Sequence, residues 1–345
     1  MCRVTLKLGI TTATFGVTLY WVNRAFLGKR GIFNGVTVTL SLRKFIRIIK
    51  IVDQIRRCKR CVVCGCEMSP GNANWHMVCL RCGYESADLA STINSKDIVS
   101  ALDEHAREVS LKSVRDVNFS VLTQILRQLK PQGGRLLDVG CAHGWFLDKT
   151  KDFFRSSGVE PDESIFNATK ARGLEVAHGY FPQVLVPGSK FDIIAFNDVL
   201  EHIPTVEDAL TACKEHLNPD GLLLINLPSS NGFFYRLSKL LARVGICGFF
   251  DRMWQKGMPS PHVHYFNQKN LSELLGKQQF KVVQTGVLDV LHAKGLYTRL
   301  AYSRVNSVAK NVLLYVMLML SLPILKLLPS DIQYVIARAD ASSDP

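Results

Sequence analysis

The chain contains no uncharged apolar run as long as the roughly 20 residues that a bilayer-spanning helix needs. Residues 9–22 are uncharged, but this stretch is short and holds four threonines. No clear small-residue cleavage site follows it, so a secretory signal peptide is not indicated. An N-terminal anchor at 9–22 stays open as an alternative. In that case the Lys and Arg residues that follow would keep the rest of the chain in the cytoplasm.

Acidic residues are almost absent from the first 60 positions. That stretch holds 13 Lys and Arg residues against Asp53 alone, a net charge of +12, while the whole chain of 345 residues carries +13. The basic charge therefore belongs to an N-terminal arm, residues 1–57, and says little about a catalytic site. Residues 41–57 place apolar residues at helical spacing among Arg and Lys. This pattern fits a helix packed on its own protein or an interfacial helix on anionic lipid. Nucleic-acid contact is less favoured, because no aromatic side chains interleave with the charges.

Six of the ten cysteines crowd into positions 58–82. They include two CxxC pairs separated by 14 residues: Cys61, Cys64, Cys79 and Cys82. Each pair turns two thiolates toward one point, and two pairs complete a tetrahedral site suited to zinc. We therefore predict a zinc ribbon over residues 58–84, structural because it leaves no open coordination position. Cys58 and Cys66 are alternative ligands, and a redox role for one pair is the weaker interpretation.

From about residue 110, apolar strand-like runs alternate with helical segments. This alternation predicts a parallel sheet covered by helices on both faces. The first strand ends in the stretch LLDVGCAHGWFL, residues 136–147, whose glycine turn lets a ligand approach the backbone. Dinucleotide binding needs two more glycines after Gly140, but Ala142 and Trp145 occupy those positions. No GK[ST] follows either, so both an NAD site and a phosphate-binding loop are disfavoured.

Two acidic residues indicate a different ligand. Asp138 stands at the strand end, where it would repel a pyrophosphate but attract a cation or an amine. Glu160 ends the next strand, 20 residues after Gly140, at the usual place for a carboxylate that accepts both ribose hydroxyls. A ribose and a positive group without a phosphate describe S-adenosylmethionine (SAM).

Four motifs in order, LLDVGCAHGWFL, GVEPDES, FDIIAFNDVLEHI and LNPDGLLLINLPS, resemble those of class I SAM-dependent methyltransferases over roughly residues 115–290. The subgroup that this chain resembles contains ubiquinone-pathway O-methyltransferases and zinc-bearing sugar methyltransferases. The latter also place a cysteine-knuckle module before the methyltransferase domain. The resemblance implies an α/β fold with a seven-stranded Rossmann-like sheet, preceded here by the small zinc ribbon. Ala142 departs from the glycine common in the family, a change small enough that we expect SAM binding to survive.

The resemblance also implies which residues bind the cofactor. They follow four strand ends: Asp138, Gly140, Cys141, Ala142, His143 and Gly144 at the methionine end, Glu160 at the ribose, Gly179, Tyr180 and Phe181 at the adenine, and Asn197 and Asp198 facing cofactor or substrate.

Methyl transfer requires a positioned acceptor and, for a hydroxyl or a carbon acid, removal of a proton. The candidate catalytic residues are Glu201, His202, His262 and His264. On a helix, Asp198 would share one face with Glu201 and His202 at i+3 and i+4. Some relatives bind a divalent metal with this pattern and a further histidine, whereas others use a histidine as base. A structural capping role for His202 stays open.

Two apolar helical insertions within the methyltransferase domain, residues 110–345, are expected to shape the acceptor pocket. They occupy 231–254 and 300–329. The second contains the 14-residue run 312–325, too short for an ordinary span and placed between strands that we expect to pair at one sheet edge. We interpret this run as an embedded or interfacial hairpin, or as a core helix.

The sequence thus predicts a cytoplasmic enzyme, peripheral to the inner face of a membrane, that methylates oxygen or carbon of a small-molecule acceptor. The acceptor is a glycan precursor or a lipid-linked compound. One alternative is an RNA methyltransferase whose ribbon and arm hold RNA, with affinity that falls steeply in salt. Another is a non-catalytic protein that binds SAM or interacts through its zinc module.

Overall fold

The computed structural model describes residues 31–33, 36–38, 59–93, 104–290, 296–297 and 308–339. The chain divides into two compact units, Met1–Cys58 and Lys59–Pro345. In the first unit the described residues form an antiparallel hairpin of β1 (Gly31–Phe33) and β2 (Val36–Val38). The predictions for 9–22 and 41–57 lie outside the described residues.

The second unit alternates strands and helices as predicted. Its strands are β3 (Ser69–Pro70), β4 (His76–Val78), β5 (Glu85–Ala87), β6 (Arg135–Val139), β7 (Arg155–Glu160), β8 (Val176–His178), β9 (Phe191–Asn197), β10 (Leu217–Pro228), β11 (His264–Tyr265), β12 (Phe280–Leu288) and β13 (Ile332–Ala339). Its helices are α1 (Glu104–Leu129), α2 (Trp145–Thr150), α3 (Glu163–Ala171), α4 (Val206–His216), α5 (Phe233–Arg243), α6 (Gly248–Met253), α7 (Gln268–Lys277) and α8 (Val308–Leu325). A short 3-10 turn covers Leu200–His202.

Seven strands form one sheet in the order β12-β13-β10-β9-β6-β7-β8. The five from β10 to β8 are parallel, and β13 runs antiparallel to both of its neighbours. The predicted parallel sheet with an antiparallel edge is thereby confirmed. The pairing of β10 with β9 shifts register between Leu217 and Leu222. The edge formed by the last residues of the parallel strands is here called the carboxyl edge.

Successive residues of each central strand point to opposite faces, so the sheet has two cores. One contains Leu136 and Ile193 with Phe119 and Phe146 from α1 and α2. The other contains the next residues along, such as Leu137 and Ile194, with side chains of α4 and α7. Burial on both faces explains why these strands are near-continuous apolar runs.

The cysteine-rich segment, residues 59–87, packs against the seven-stranded sheet. Val63, Met68 and Tyr84 belong to the same buried cluster as one face of that sheet. A four-stranded sheet in the order β11-β5-β4-β3 joins this segment to His264–Tyr265, far along the chain. The strands continue to Ala87, beyond residue 84 where the sequence analysis ended the ribbon. The segment is therefore an integral part of the second unit.

The apolar run at 312–325 is part of a longer helix than its sequence suggested. α8 has 18 residues with a mean hydropathy of 1.9, enough by length and composition to cross a membrane. The estimate of 14 residues was too short because the helix begins four positions earlier and includes Lys310 and Asn311. Only 11% of α8 is buried, so the core-helix interpretation does not hold.

Candidate functional site

The glycine turn after β6 brings backbone close to neighbouring side chains. Gly140, Ala142 and Gly144 all have positive φ, at 67°, 45° and 71°. A Cβ on Gly140 would lie 2.7 Å from the Val199 side chain, and one on Gly144 would lie 2.4 Å from Leu174. Both positions therefore require glycine. Ala142, which stands where the family commonly has glycine, adopts the left-handed conformation that glycine favours.

Asp138 is buried at the end of β6 and has one amide beside it. Asn197 Nδ2 donates to Asp138 Oδ1 at 3.0 Å. Burial raises the pKa of Asp138 to about 7, and the nearby Glu160 carboxylate adds to the rise while the Asn197 bond opposes it. A cationic amine placed here would stabilise the ionised carboxylate.

Glu160 is fixed by two backbone N–H groups. Ala142 N–H donates to Oε2 at 2.9 Å and Asp162 N–H donates to Oε1 at 2.8 Å. Burial raises the pKa of Glu160 to about 7, against the effect of these two bonds. Each carboxylate oxygen can accept further bonds, so the group is held in place to receive two hydroxyls.

The residues predicted at the adenine take different positions after β8. The N–H of Gly179 donates to the Glu160 backbone carbonyl at 3.1 Å, which places this residue beside the end of β7. Phe181 is half-buried and meets Phe196 edge-on at a ring distance of 5.7 Å. Tyr180 is 56% exposed and lies at the surface.

Asn197 is the last residue of β9 and Asp198 follows it, and the two side chains have different surroundings. Asn197 Oδ1 is buried, and so is Oδ1 of Asn226 on β10, and neither has a hydrogen-bond partner among the described residues. Asp198 has a φ of 56° and its carboxylate lies 3.2 Å from Nη2 of Arg115. Arg115 and Asn226 were not predicted from the sequence. Arg115 brings a cation to an otherwise acidic group of residues.

Glu201, His202 and His262 form a buried acid–imidazole cluster. One ligand atom from each lies within 4.8 Å of the others, and the two histidine rings are 4.8 Å apart. Among the described residues, both Glu201 carboxylate oxygens are buried without a hydrogen-bond partner. Burial, with the charge of Asp198, raises the pKa of Glu201 well above its usual range. Asp198, predicted to share a face with this set, lies outside it.

His264 is not part of this cluster. The Tyr84 hydroxyl is hydrogen-bonded to its Nδ1, and its Nε2 lies 2.9 Å from the Ile203 carbonyl. Burial lowers the pKa of His264 to about 4, so the ring is neutral near pH 7. His264, predicted as catalytic, thus makes two buried hydrogen bonds that join the cysteine-rich segment to the loop after His202.

The four cysteines of the CxxC pairs converge. Their Sγ atoms all lie within 4.8 Å of one another, with Cys61–Cys82 at 3.5 Å and Cys64–Cys79 at 3.4 Å. A tetrahedron with Zn–S bonds of about 2.3 Å has S–S edges of roughly 3.8 Å, so the donor set fits zinc closely. All four are free thiols. Cys66 lies outside the group, with its Sγ 3.5 Å from Arg81, and Cys58 is outside the described residues.

A buried carboxylate ties the cysteine-rich segment to the insertion at 231–254. Glu85 Oε2 lies 2.7 Å from His76 Nε2 and 2.7 Å from the Tyr235 hydroxyl. Its Oε1 accepts from Lys239 Nζ at 2.5 Å. The hydrogen bonds, together with the charges of Lys239 and His76, lower the pKa of Glu85 despite its burial. The insertion is thereby held against the cysteine-rich segment.

Comparison with known proteins agrees with this geometry. A family profile described as a methyltransferase domain matches residues 112–285, just over half of the chain. A probable S-adenosylmethionine-dependent methyltransferase of Mycolicibacterium smegmatis is 25% identical over 171 residues, which cover 48% of this chain and 58% of that protein. A ubiquinone biosynthesis O-methyltransferase of Bradyrhizobium diazoefficiens is 29% identical over 125 residues, covering 34% and 49%. The chain spans about half the length of these curated relatives.

Solved structures include a SAM-dependent methyltransferase of Thermotoga maritima, described as a possible histamine N-methyltransferase. It is 17% identical and covers 69% of this chain and 95% of its own, with a TM-score of 0.44. SAM-bound CalS10, an amino pentose methyltransferase from Micromonospora echinaspora, is 26% identical and covers 35% and 54%, with a TM-score of 0.32.

Proposed function

Because the chain belongs to the class I SAM-dependent methyltransferase family, we propose that it methylates an oxygen or carbon atom of a small-molecule acceptor, such as a glycan precursor or a lipid-linked compound. The cluster of Glu201, His202 and His262 carries this proposal, since Glu201 and His202 come directly after the strand that ends at Asn197, and the fold brings His262 beside them. In the transfer, the acceptor atom bonds to the methyl carbon as the sulfonium C–S bond breaks. The acceptor loses one proton, and S-adenosylhomocysteine remains.

The residues of the carboxyl edge fit SAM. The carboxylate of Asp138 and the buried Oδ1 of Asn197 are acceptors for the amino group of its methionine part. Arg115 supplies a cation for its carboxylate. Glu160, held by two N–H bonds, is the acceptor for the ribose hydroxyls. The turn at Gly140 admits no Cβ, which keeps the backbone accessible.

Replacing Glu160 by alanine should weaken SAM binding by about 1.5–3 kcal/mol, the scale of hydrogen bonds to a charged group. The reason is that both ribose acceptors are lost while the turn keeps its glycines. Isothermal calorimetry with S-adenosylhomocysteine measures the change. Glu163→Ala is the matched control, because it removes an exposed carboxylate three positions away. Equal affinity of the Glu160→Ala protein and the wild type would contradict this assignment.

His202 is the candidate base. Its Nδ1 lies 2.9 Å from the Pro261 carbonyl, which can only accept. This contact favours the tautomer with the proton on Nδ1, in which Nε2 is the nitrogen that accepts a proton. Nε2 lies 3.9 Å from Glu201 Oε1.

A second form of the mechanism uses a divalent cation. A buried carboxylate is costly to ionise, and among the described residues neither Glu201 oxygen has a hydrogen-bond partner. Its Oε1 lies 3.9 and 4.0 Å from Nε2 of His202 and His262. Glu201 is therefore either protonated or balanced by a positive charge, on a histidine or on a bound metal ion. One carboxylate and two imidazoles suit zinc or another first-row ion, with positions left open for an acceptor oxygen. Glu201, His202 and His262 would hold the ion.

The cysteine-rich segment is proposed to be a zinc ribbon of purely structural role. The four thiols fill the coordination sphere. The basic N-terminal arm, which supplies most of the +12 charge of residues 1–60, is proposed to bind an anionic membrane surface on the cytoplasmic side. A lipid-linked acceptor would meet the enzyme at that membrane surface.

Methyl-labelled methionine supplied to cells with and without the gene tests the acceptor class. We expect a labelled small molecule or lipid-linked compound in extracts of wild-type cells that is missing from the deletion strain. Loss of label from RNA instead would favour the RNA methyltransferase alternative. An unchanged profile of both would support a non-catalytic SAM-binding protein.

A further inference from the structure

α8 exposes an apolar stripe along its length. Leu313, Met317, Leu320 and Ile324 are 61%, 58%, 75% and 64% exposed. At 3.6 residues per turn these four positions fall within about 60° of one another, so they form one line along the helix. A continuous exposed apolar surface is uncommon on a soluble protein and indicates a site of contact with a membrane or with another protein.

The surrounding charge is of one sign. Between Val290 and Ser330 the sequence has five basic residues and no acidic residue. The basic residues are Lys294, Arg299, Arg304, Lys310 and Lys326. Outside this stretch and the arm, acidic residues are in slight excess, since the chain totals only +13. An exposed apolar stripe, within a stretch of sequence whose only charged residues are basic, complements an anionic bilayer.

The connections of α8 prevent it from crossing the bilayer alone. Leu288, the last residue of β12, pairs with Ile332, the first of β13, so the excursion leaves and re-enters at one point. If α8 crossed the bilayer, residues 289–307, which precede it, would have to make the other crossing, and they contain Lys294, Arg299 and Arg304, which are costly inside a bilayer. The helix therefore suits a position parallel to the membrane plane, with its stripe in the acyl boundary.

α8 is tied to the carboxyl edge. Ile332 pairs with Pro228, at the end of β10, and Asn197 at the end of β9 pairs with Asn226. Asp331 accepts from the N–H groups of Phe234 and Tyr235 at 3.0 and 2.7 Å, which joins the end of the excursion to the start of α5. A membrane contact that fixes the position of α8 would therefore also fix the position of the carboxyl edge and of the insertion at 231–254.

We propose that α8 docks the enzyme on an anionic phospholipid bilayer, with the stripe Leu313–Met317–Leu320–Ile324 inserted and Lys310 and Lys326, near the two ends of the helix, on the headgroups. Docking through α8 holds the carboxyl edge near the membrane. A lipid-linked acceptor of the kind proposed above would be found there.

Vesicle flotation of the full chain tests this docking. We expect wild-type protein to float with phosphatidylcholine vesicles containing roughly one third phosphatidylglycerol. In about 0.5 M NaCl, where charges are screened beyond roughly 4 Å, the contribution of the arm should fade and that of the stripe should persist. The triple variant Leu313→Gln, Met317→Gln, Leu320→Gln should bind at least about tenfold more weakly in high salt, because three apolar side chains no longer insert. Glutamine keeps the helix propensity high.

The matched control is Leu80→Gln with Val186→Gln, which changes residues 81% and 73% exposed elsewhere in the second unit. This control should float like the wild type. Equal binding of the triple variant and the wild type in high salt would overturn the proposal. So would a change from dimer to monomer in sedimentation with vesicle binding unaltered, because α8 would then be a subunit interface. S-adenosylhomocysteine affinity, measured on the same preparations, separates this outcome from failure of the proposed function.

Discussion

His202→Ala is expected to lower the rate of methyl transfer about 100-fold or more while SAM affinity stays nearly intact. The hydrogen bond of Nδ1 with the Pro261 carbonyl fixes the ring, and in the tautomer that it favours Nε2 is the nitrogen that accepts a proton. The alanine variant loses that acceptor but leaves Asp138 and Glu160 unchanged. Labelled product formed in the deletion strain complemented with each variant gives the rate, and calorimetry with S-adenosylhomocysteine gives the affinity.

His216→Ala is the matched control for this prediction. His216 also pairs its Nδ1 with a backbone carbonyl, that of Ser189 at 2.8 Å, but lies outside the Glu201 cluster. If His202→Ala loses thermal stability or SAM affinity first and rate only in proportion, His202 is a structural cap. Full activity at saturating SAM would remove His202 from the mechanism, and the base would then be sought in the 231–254 insertion.

Glu201→Gln and a chelator separate the two forms of the mechanism. Glutamine resembles a protonated carboxyl group in shape and charge, so a neutral Glu201 tolerates the change. If Glu201 binds a cation with His202 and His262, activity should instead be lost in the variant and in the chelator-treated wild type, with the zinc of the ribbon still bound.

Cys61→Ser or Cys79→Ser is expected to abolish zinc binding and to destabilise the whole second unit. Elemental analysis of the wild type should find about one zinc ion per chain. Structural zinc in small modules contributes on the order of 10 kcal/mol to folding. Here the loss of stability should extend to the whole second unit. Tyr84 and Met68 share a core with the seven-stranded sheet, and Glu85 accepts a hydrogen bond from Tyr235. The melting temperature should fall in a single transition for both parts.

Cys66→Ser is the control for the zinc prediction, since Cys66 bonds Arg81 and lies outside the thiol cluster. Its zinc content should equal that of the wild type. A disulfide between the paired cysteines in protein kept reduced would contradict a zinc site. If the Cys79→Ser protein does not fold, removal of metal from the wild type by a strong chelator, followed by melting, tests the same point.

Features set by local sequence were predictable. Asp138 and Glu160 were placed at the ends of neighbouring strands from apolar runs and a glycine turn, and the strands occur there. The start of α3 is also set by local sequence, because Asp162 caps its N-terminus by accepting from the N–H of Ile165. The thiol cluster followed from spacing alone, since a CxxC turn is a local structure.

Features set by distant partners were not predictable. Arg115 and Asp198 are 83 positions apart, and Glu85 and Tyr235 are 150 apart, so no window of sequence contains both members of either pair. His264 resembled a catalytic residue in its local motif, yet its role depends on Tyr84, 180 positions earlier. The exposure of α8 was likewise not predictable from the sequence, because an apolar run has the same composition whether it is buried in a core or exposed on a surface.

Calorimetric titration of the full-length protein with S-adenosylhomocysteine and, separately, with NAD tests the central assignment most directly. The carboxylates at Asp138 and Glu160, with Ala142 and Trp145 in place of the dinucleotide glycines, should give an affinity in the micromolar range for S-adenosylhomocysteine and no detectable heat with NAD. Tight binding of NAD, or no binding of S-adenosylhomocysteine to folded protein, would contradict the assignment of this edge to SAM.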